Sequence, residues 1–441
     1  MKTPIFDFVQ KYSKKDGVRL HMPGHKGEKH IGFEPLDITE IKGADSLYHA
    51  SGIIEESELN AGKIFGAHTY YSTEGSSLCI RTMVYLALQY ATQTGGNPLI
   101  LAGRNAHKSF VNACALTGVE PVWLYPENSD NYLSCNVSVE SIEREIIKNK
   151  PVAVYITSPD YLGNILDVKS VGEVCKKHGV LLMVDNAHGS YLKFLNPSLH
   201  PIDLGADICT DSAHKTLSAL TGGAYLHVKK GLDIFVSVKS AMSLFASTSP
   251  SYLILASLDY ANLELSSGFS VRLSKVVKKV NAIKNKLIEK GYFLVGKEPL
   301  KITIKAKDFG YTGETLAEKL RVFGIECEYF DHDVLVMMPS VYNSDEDFNR
   351  LEKALLYFEK RNPLAEKAPE FFVREKVVKI RDAVMSKKKI IDVNDAEGEI
   401  LALDPVSCPP AVPIVVCGEK IDANAIECFN YYGIKKVVVI D

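Results

Sequence analysis

Reactive polar side chains follow four short apolar stretches of the sequence. Arg104–Ser109 follows LILAG, Ser158–Gly163 follows VAVYIT, Asp185–Gly189 follows VLLMV, and Asp211–Lys215 follows ADICT. Short apolar stretches that alternate with segments of helical periodicity predict parallel strands joined by helices. Ligands bind at the carboxyl ends of such strands. We therefore expect these four segments to supply a binding site.

The groups needed to hold pyridoxal phosphate occur among these segments. Lys215 supplies an amine that can form a Schiff base with an aldehyde and exchange it for a substrate amine. Asp185, on another strand, supplies a carboxylate that would keep the pyridine nitrogen protonated, so that the ring accepts electrons. Gly75-Ser76-Ser77 opens a predicted helix, whose N–H groups and hydroxyls suit a phosphate. Further candidates are Ser212 and His214 for the phosphate oxygens and His107 for stacking on the ring.

Each of these residues also has an ordinary structural interpretation. An aspartate after a strand is often a helix N-cap, and Gly-Ser-Ser before a helix can serve only as a cap. A lone histidine is commonly a hydrogen-bonded structural residue, and a lysine at a strand end is usually solvated. It is the combination of the groups that indicates a cofactor site.

The elements that position these residues predict an α/β fold. Residues 1–60 are expected to form an irregular N-terminal arm that begins with a short amphipathic helix. Residues 61–290 predict a large cofactor-binding domain with a mainly parallel sheet and a connector helix. Residues 291–441 predict a smaller α/β region with a β-α-β-β pattern and a final helix–strand pair. Within it, 407–421 is expected to be a proline-rich loop leading into a strand.

Composition excludes several classes of protein. The chain has 441 residues, of which 24% are charged, and a formal net charge of −3, so nothing favours a nucleic-acid partner. Its apolar runs are too short to span a bilayer, and its N-terminus lacks the apolar region of a secretory signal. The nine cysteines form no CxxC pair and have no zinc-site spacing, which predicts reduced thiols, no metal and a cytoplasmic location.

Six motifs in order resemble a known family. They are HMPGHKG, GSS before a helix, NAHKS, SPDYLGNILDV, VDNAHGSYLKF and TDSAHKTLSALTGGAYLHV. They resemble the Orn/Lys/Arg decarboxylases, which are fold-type I pyridoxal-phosphate enzymes, and most closely the shorter arginine/lysine/ornithine decarboxylases of Gram-positive bacteria. The resemblance is strong over residues 1–260 and weak beyond them. CPPAVP stands where the family usually has a Tyr-Pro-Pro-Gly-Ile-Pro type of loop, which leaves the choice of substrate open.

The resemblance implies a fold-type I architecture and a role for each motif residue. Lys215 would be the Schiff-base lysine, Asp185 the partner of the pyridine nitrogen, and His107 the stacking ring. Ala187 and His188 would lie close to the ring or the substrate. The phosphate would be held by Gly75, Ser76, Ser77, Ser212 and His214. ASTSPSY at 246–252 resembles a segment that reaches into a neighbouring subunit, where Thr248, or Ser247 or Ser249, would contact the phosphate. The family thus implies a homodimer with composite active sites, or a larger assembly.

The predicted reaction is decarboxylation of arginine, lysine or ornithine to the corresponding amine and CO2, as in polyamine biosynthesis. Lys215 or His188 would protonate the substrate carbon after CO2 leaves, and Asp160, Glu399 and Asp45 are candidate partners of the substrate tail. One alternative is another reaction on the same cofactor, by an aminotransferase or a β-lyase. An aminotransferase usually needs an arginine for the substrate carboxylate, and Arg104 is the one candidate beside the motifs. A second alternative is a non-catalytic regulatory paralogue.

Overall fold

The chain forms two compact units. The structure, a computed structural model, describes residues 1–126, 131–232, 238–406 and 408–441. The first unit comprises Met1–Pro98, Lys150–Tyr155 and Val168–Val271, and the second comprises Leu99–Asn149, Ile156–Asp167 and Arg272–Asp441. Each unit combines segments that are distant in the sequence. The predicted domains, by contrast, are continuous segments that meet at residues 60 and 290. Those bounds remain a prediction.

The helices and strands alternate over much of the chain. The helices are α1 (Pro4–Ser13), α2 (Ile53–Phe65), α3 (Gly75–Thr94), α4 (Lys108–Thr117), α5 (Val139–Asn149), α6 (Val168–His178), α7 (Ala213–Thr216), α8 (Val238–Ser243), α9 (Tyr252–Leu265), α10 (Phe269–Lys290), α11 (Gly313–Val322), α12 (Asp345–Tyr357), α13 (Ile380–Met385) and α14 (Ala423–Tyr431). The strands are β1 (His68–Ser72), β2 (Ile100–Gly103), β3 (Val122–Leu124), β4 (Ala153–Thr157), β5 (Leu181–Asp185), β6 (Ile208–Asp211), β7 (Ala224–Val228), β8 (Leu294–Val295), β9 (Ile302–Lys305), β10 (Tyr329–Phe330), β11 (Val334–Met337), β12 (Lys388–Asp392), β13 (Leu401–Leu403) and β14 (Lys436–Ile440).

Seven strands form a large sheet in the order β1-β7-β6-β5-β4-β2-β3. β5 and β6 run parallel, with Asp185 opposite Thr210, whereas β7 runs antiparallel to both of its neighbours. Every residue of β5, β6 and β7 is buried. Strands that are buried on both faces need nearly continuous apolar sequence, which is why the runs VLLMV and ADICT were recognisable. The α/β class with a large, mainly parallel sheet is confirmed.

Two smaller antiparallel sheets belong to the second unit. One has the order β10-β11-β9-β8, and the other has the order β12-β14-β13. The first matches the predicted β-α-β-β pattern, because α11 lies between β9 and β10 in the sequence. A core that includes Tyr132, Leu133, Phe429 and Val439 is buried in this unit.

Two local expectations were wrong. α2 begins at Ile53, inside the arm expected to be irregular, and it buries Ile54, Ala61 and Phe65. The stretch 407–421, of which Ser407 lies outside the described residues, does not lead into a strand: only Glu419 and Lys420 form isolated bridges.

All nine cysteines are free thiols. Seven are buried, Cys327 is partly buried, and Cys408 alone is exposed. No helix in the described ranges is long and apolar enough to cross a membrane.

Candidate active site

Lys215 contacts a histidine at the carboxyl ends of two neighbouring strands. β6 ends at Asp211, Ser212 caps the short helix α7, and Lys215 lies in that helix. Its Nζ is 2.8 Å from Nε2 of His188, in the turn after β5. Because β5 and β6 are parallel neighbours, both turns leave the same edge of the sheet. The structure thus brings together Lys215 and His188, the two predicted proton donors.

Asp185 ends β5 as a buried carboxyl group. Its side chain accepts a 3.1 Å hydrogen bond from the Ala187 N–H and another of 3.1 Å from the Tyr155 hydroxyl. Burial raises the pKa of Asp185, although these hydrogen bonds and the nearby Lys215 act in the opposite direction. A carboxylate in such surroundings gains free energy from an adjacent cation. A protonated pyridine nitrogen would be a suitable partner.

The N-terminus of α3 meets the turn before Lys215. Ser76 Oγ accepts a 2.9 Å hydrogen bond from Ser212 Oγ. Gly75 has a φ of +69°, a Cβ built on it would meet nothing within 4 Å, and its N–H donates to the Gly222 carbonyl. Glu74, the N-cap, makes no side-chain hydrogen bond to the helix. Paired hydroxyls at the start of a 20-residue helix suit a phosphate group.

His214 and Ser77 lie on the two elements that meet there. Nδ1 of His214 donates to the Gly223 carbonyl at 2.9 Å, so this nitrogen has the proton, and the ring orientation is fixed. Ser77 is the third residue of α3. Lys215, His188, Asp185, Ala187, Ser212, His214 and Gly75–Ser77 all belong to the first unit.

Thr248 is exposed, near the start of α3 in its own chain. The neighbouring Ser247 N–H donates to Glu74 at 2.8 Å. A phosphate contact from Thr248 to a neighbouring subunit remains a prediction.

His107 belongs to the second unit, where it caps α4. Its Nδ1 accepts the Ser109 N–H at 3.1 Å and lies 2.9 Å from the Ser109 hydroxyl. The ring is therefore held by its own helix. Its stacking on a cofactor remains a prediction.

Arg104 has a structural role in the second unit. The side chain is 2% exposed, donates to the carbonyls of Pro413 and Ile414, and lies 3.3 Å from Glu419. These bonds fix the backbone at Pro413 and Ile414. They also occupy the guanidinium group, which argues against Arg104 as a substrate-carboxylate clamp.

The three candidate partners of the substrate tail are likewise bound within the protein. Asp45 accepts N–H groups from Gly52 and Ile54 at the start of α2. Asp160 is buried and accepts from Ser134 and Asn164, and Glu399 pairs with Lys389 at 2.9 Å. Nothing in their surroundings favours any of them as a contact of the substrate tail.

A buried polar cluster next to the site was missed by the sequence analysis. Asp211 lies against His200 and His227, and the side chains of His200, Cys209 and Asp211 could together hold a metal ion. His200, Cys209 and Asp211 lie within 12 residues of one another and His227 follows 16 residues later, but this spacing is not typical of a metal site. A weak signal was present in Asp211, the charged residue that ends the buried and otherwise uncharged strand ICTD.

Comparison with known proteins gives one family. The family model described as "Orn/Lys/Arg decarboxylase, major domain" matches residues 3–306. The chain is similar to the arginine decarboxylase of Bacillus subtilis, with 30% identity over a 461-residue alignment that covers 95% of this chain and 91% of that protein. The arginine decarboxylase of Bacillus cereus is 29% identical, with 95% and 96% covered.

Solved structures share the fold. The lysine decarboxylase LdcF of Francisella novicida has a TM-score of 0.81 at 18% identity, covering 100% of this chain and 81% of that one. The constitutive lysine decarboxylase of Escherichia coli has a TM-score of 0.80 at 18% identity, covering 100% and 82%.

Proposed function

We propose, from the premise that this chain belongs to the Orn/Lys/Arg decarboxylase family and therefore decarboxylates a basic amino acid, that Lys215 binds pyridoxal phosphate for this reaction. The observation that supports this best is the 2.8 Å contact between Lys215 Nζ and His188 Nε2, beside the buried Asp185. When bound, pyridoxal phosphate accepts the electron pair that the departing CO2 leaves on the substrate.

The residues of the first unit divide the binding of this cofactor among them. Lys215 would attach the aldehyde carbon, and Asp185 would pair with the pyridine nitrogen. The start of α3 would bind the phosphate through its N–H groups and hydroxyls. The residues proposed for the phosphate are Gly75, Ser76, Ser77, Ser212 and His214. Ala187 would lie beside the ring, His107 would stack on it, and Thr248 would contact the phosphate from a second subunit.

Lys215 and His188 would also move a proton. After CO2 leaves, the substrate carbon needs one proton to become the amine product. Lys215 Nζ and His188 Nε2 lie 2.8 Å apart, so the hydrogen bond between them would hold in place whichever group donates another of its protons to the substrate carbon.

We take arginine as the first substrate to test, because several relatives of 28–30% identity are named arginine decarboxylases. Lysine and ornithine are the competing substrates. We further propose a homodimer with composite active sites, a cytoplasmic location and a role in polyamine biosynthesis. The free thiols support the location, since reducing compartments keep cysteines unpaired.

Trapped CO2 and the position of the cofactor test the proposal together. The purified protein would be given pyridoxal phosphate and then arginine, lysine or ornithine in turn. Borohydride reduction followed by peptide mass analysis would locate the attached cofactor. We expect CO2 and the matching amine from one substrate, and the cofactor on the peptide that contains Lys215. Lys215→Ala should abolish both.

Lys229→Ala is the matched control, because this lysine pairs with Asp207 at 3.3 Å and has no proposed role. Turnover by Lys215→Ala, or cofactor on another lysine, would contradict the assignment. A keto acid instead of CO2 would indicate an aminotransferase. Attached cofactor without turnover on any amino acid would indicate a regulatory paralogue.

A further inference from the structure

Asp211 is the centre of a buried polar cluster in the first unit. Asp211, His200 and His227 are fully buried. Oδ2 of Asp211 lies 3.1 Å from Nε2 of His200 and 3.4 Å from Nε2 of His227, the latter without hydrogen-bond geometry. Oδ1 accepts a 2.6 Å hydrogen bond from the side-chain amide of Asn186. The carboxylate is thus satisfied entirely by protein groups.

The surroundings keep this carboxylate ionised. Burial acts to raise the pKa of Asp211, but the two imidazoles outweigh burial and hold that pKa well below its ordinary value. Burial lowers the pKa of His227, and Thr69 Oγ1 fixes this ring through a 2.9 Å contact with Nδ1. A fixed buried charge of this kind makes strong, directional hydrogen bonds.

Asn186 connects the cluster to the proposed active site. Its own N–H donates to the Thr210 carbonyl at 3.0 Å, and its carbonyl accepts the Gly189 N–H at 2.8 Å. Asn186 is therefore bound to β6 through both its backbone and its side chain. It stands between Asp185 and the Ala187–His188 pair in the sequence.

The turn after β5 closes tightly on the Asn186 side chain. A Cβ added to Gly189 would come within 2.0 Å of Asn186 Oδ1. The path of residues 185–189 therefore depends on where this amide lies, and the 2.6 Å bond to Asp211 determines that position.

We propose that Asp211 is a positioning residue that acts through Asn186 to hold Asp185 and His188 where the reaction needs them. This inference rests on the proposed function, because it takes Asp185, His188 and Lys215 as the reacting and cofactor-binding groups. Asp211 itself is not expected to touch the cofactor or the substrate. A small displacement of such groups is enough to slow a reaction strongly.

A double-mutant cycle tests this directly. The variants are Asp211→Asn, which removes the charge and preserves the shape, Asn186→Ala, and the double variant. Each single change should lower kcat by roughly tenfold to a hundredfold and change KM by less than about twofold. The double variant should be no slower than the slower single variant, because both changes break the same link. Asp203→Asn is the matched control, since that carboxylate pairs with Lys193 at the surface and should leave kcat unchanged.

A second measurement needs no cofactor. In the cofactor-free protein, amide hydrogen exchange at residues 186–189 should be faster in Asp211→Asn and Asn186→Ala than in the wild type and in Asp203→Asn. A purely structural role for Asp211 would lower the unfolding temperature of Asp211→Asn without a local change at this turn.

Three results would overturn the inference. The losses in kcat could multiply in the double variant, or Asp211→Asn could keep wild-type turnover and wild-type exchange. Metal analysis could also find a stoichiometric ion that Asp211→Asn loses, which would make Asp211 a metal ligand together with His200 and Cys209. A wild-type protein that releases no CO2 from arginine, lysine or ornithine would instead contradict the proposed function.

Discussion

At the scale of single residues, the buried carboxyl group of Asp185 and the amine of Lys215 have different tasks. In the proposed reaction the Lys215 amine would exchange partners during each turnover, and its side chain is only partly buried. Asp185 would have to remain in place in that reaction, and it is 2% exposed and held by the Tyr155 hydroxyl and the Ala187 N–H. Removing the charge of Asp185 should therefore affect the reaction more than it affects attachment.

Asp185→Asn should preserve attachment of the cofactor to Lys215 but lower kcat at least about a hundredfold, because a neutral amide does not keep the pyridine nitrogen protonated. Borohydride trapping measures attachment, and CO2 release measures kcat. Asp207→Asn, which alters a carboxylate that accepts the Leu182 N–H, should change neither quantity. A kcat within about threefold of the wild-type value in Asp185→Asn would contradict the proposed role.

At the scale of elements, the sequence predicted those helices and strands whose signals lie within the segment itself. The buried strands β5 and β6 were predictable because continuous apolar runs suffice to identify them. α2 was missed because its cap is not adjacent: Asp45 accepts the N–H groups of Gly52 and Ile54 from several residues upstream. No strand follows the proline-rich loop within 408–421, where the carbonyls of Pro413 and Ile414 accept hydrogen bonds from Arg104, a residue far earlier in the chain.

The candidate site was predictable only in part, for the same reason. Lys215, Asp185 and the Gly-Ser-Ser turn were identifiable because each follows or opens a recognisable element. The Asp211 cluster was not, because its partners come from β7, from the loop before β6 and from the turn after β5. Only the pairing of those strands brings them together.

The turn before β7 should affect cofactor binding through α3. Gly222 has a φ of +97°, and a Cβ there would lie 2.8 Å from the Thr73 carbonyl oxygen. Its own carbonyl holds the first N–H of α3 at 2.7 Å. Gly222→Ala should lower the unfolding temperature and weaken the affinity for pyridoxal phosphate, measured by fluorescence titration of the cofactor-free protein.

Gly179→Ala is the control that measures backbone strain without a change near the start of α3. Gly179 has a φ of +67° with nothing within 4 Å of a built Cβ, so its replacement should cost about 1 kcal/mol in stability and leave the affinity unchanged. Equal affinities in the two variants would disprove the link between this turn and the phosphate site.

At the scale of the whole molecule, buried acids make stability depend on pH. Burial raises the pKa of Glu58 and Glu298 to about 7. It raises the pKa of Asp259, Asp331 and Asp404 to about 6. An acid whose pKa is higher in the folded state stabilises that state fully at pH values below its unfolded-state pKa. This stabilisation is lost as the pH rises through the folded-state pKa. The free energy of unfolding should therefore fall from about pH 4, near the unfolded-state pKa values, to about pH 7.

Asp259→Asn should reduce this fall. Asp259 accepts the N–H groups of Ile5 and Phe6 at the start of α1, and an amide oxygen can still do so. Because a pKa difference of one corresponds to about 1.4 kcal/mol, the shift of Asp259 from 3.8 to about 6 corresponds to about 3 kcal/mol over the whole fall, and about half of this is lost between pH 5 and pH 8. Denaturant unfolding at pH 5 and pH 8 measures it. An equal fall in both proteins would contradict the assignment to Asp259.

The single exposed thiol offers a way to observe the CPPAVP loop, which the sequence resemblance predicts to differ from the usual loop of the family. Cys408 is the only exposed cysteine of the nine, and it begins CPPAVP. Seven of the other thiols are buried and Cys327 is partly buried. Burial raises the pKa of Cys79 and Cys417 to about 12 and that of Cys327 to about 11, which suppresses the reactive thiolate. A maleimide fluorophore should therefore attach at this one position in the unmodified protein. Its emission would then show whether the loop changes its surroundings when arginine, lysine or ornithine is added.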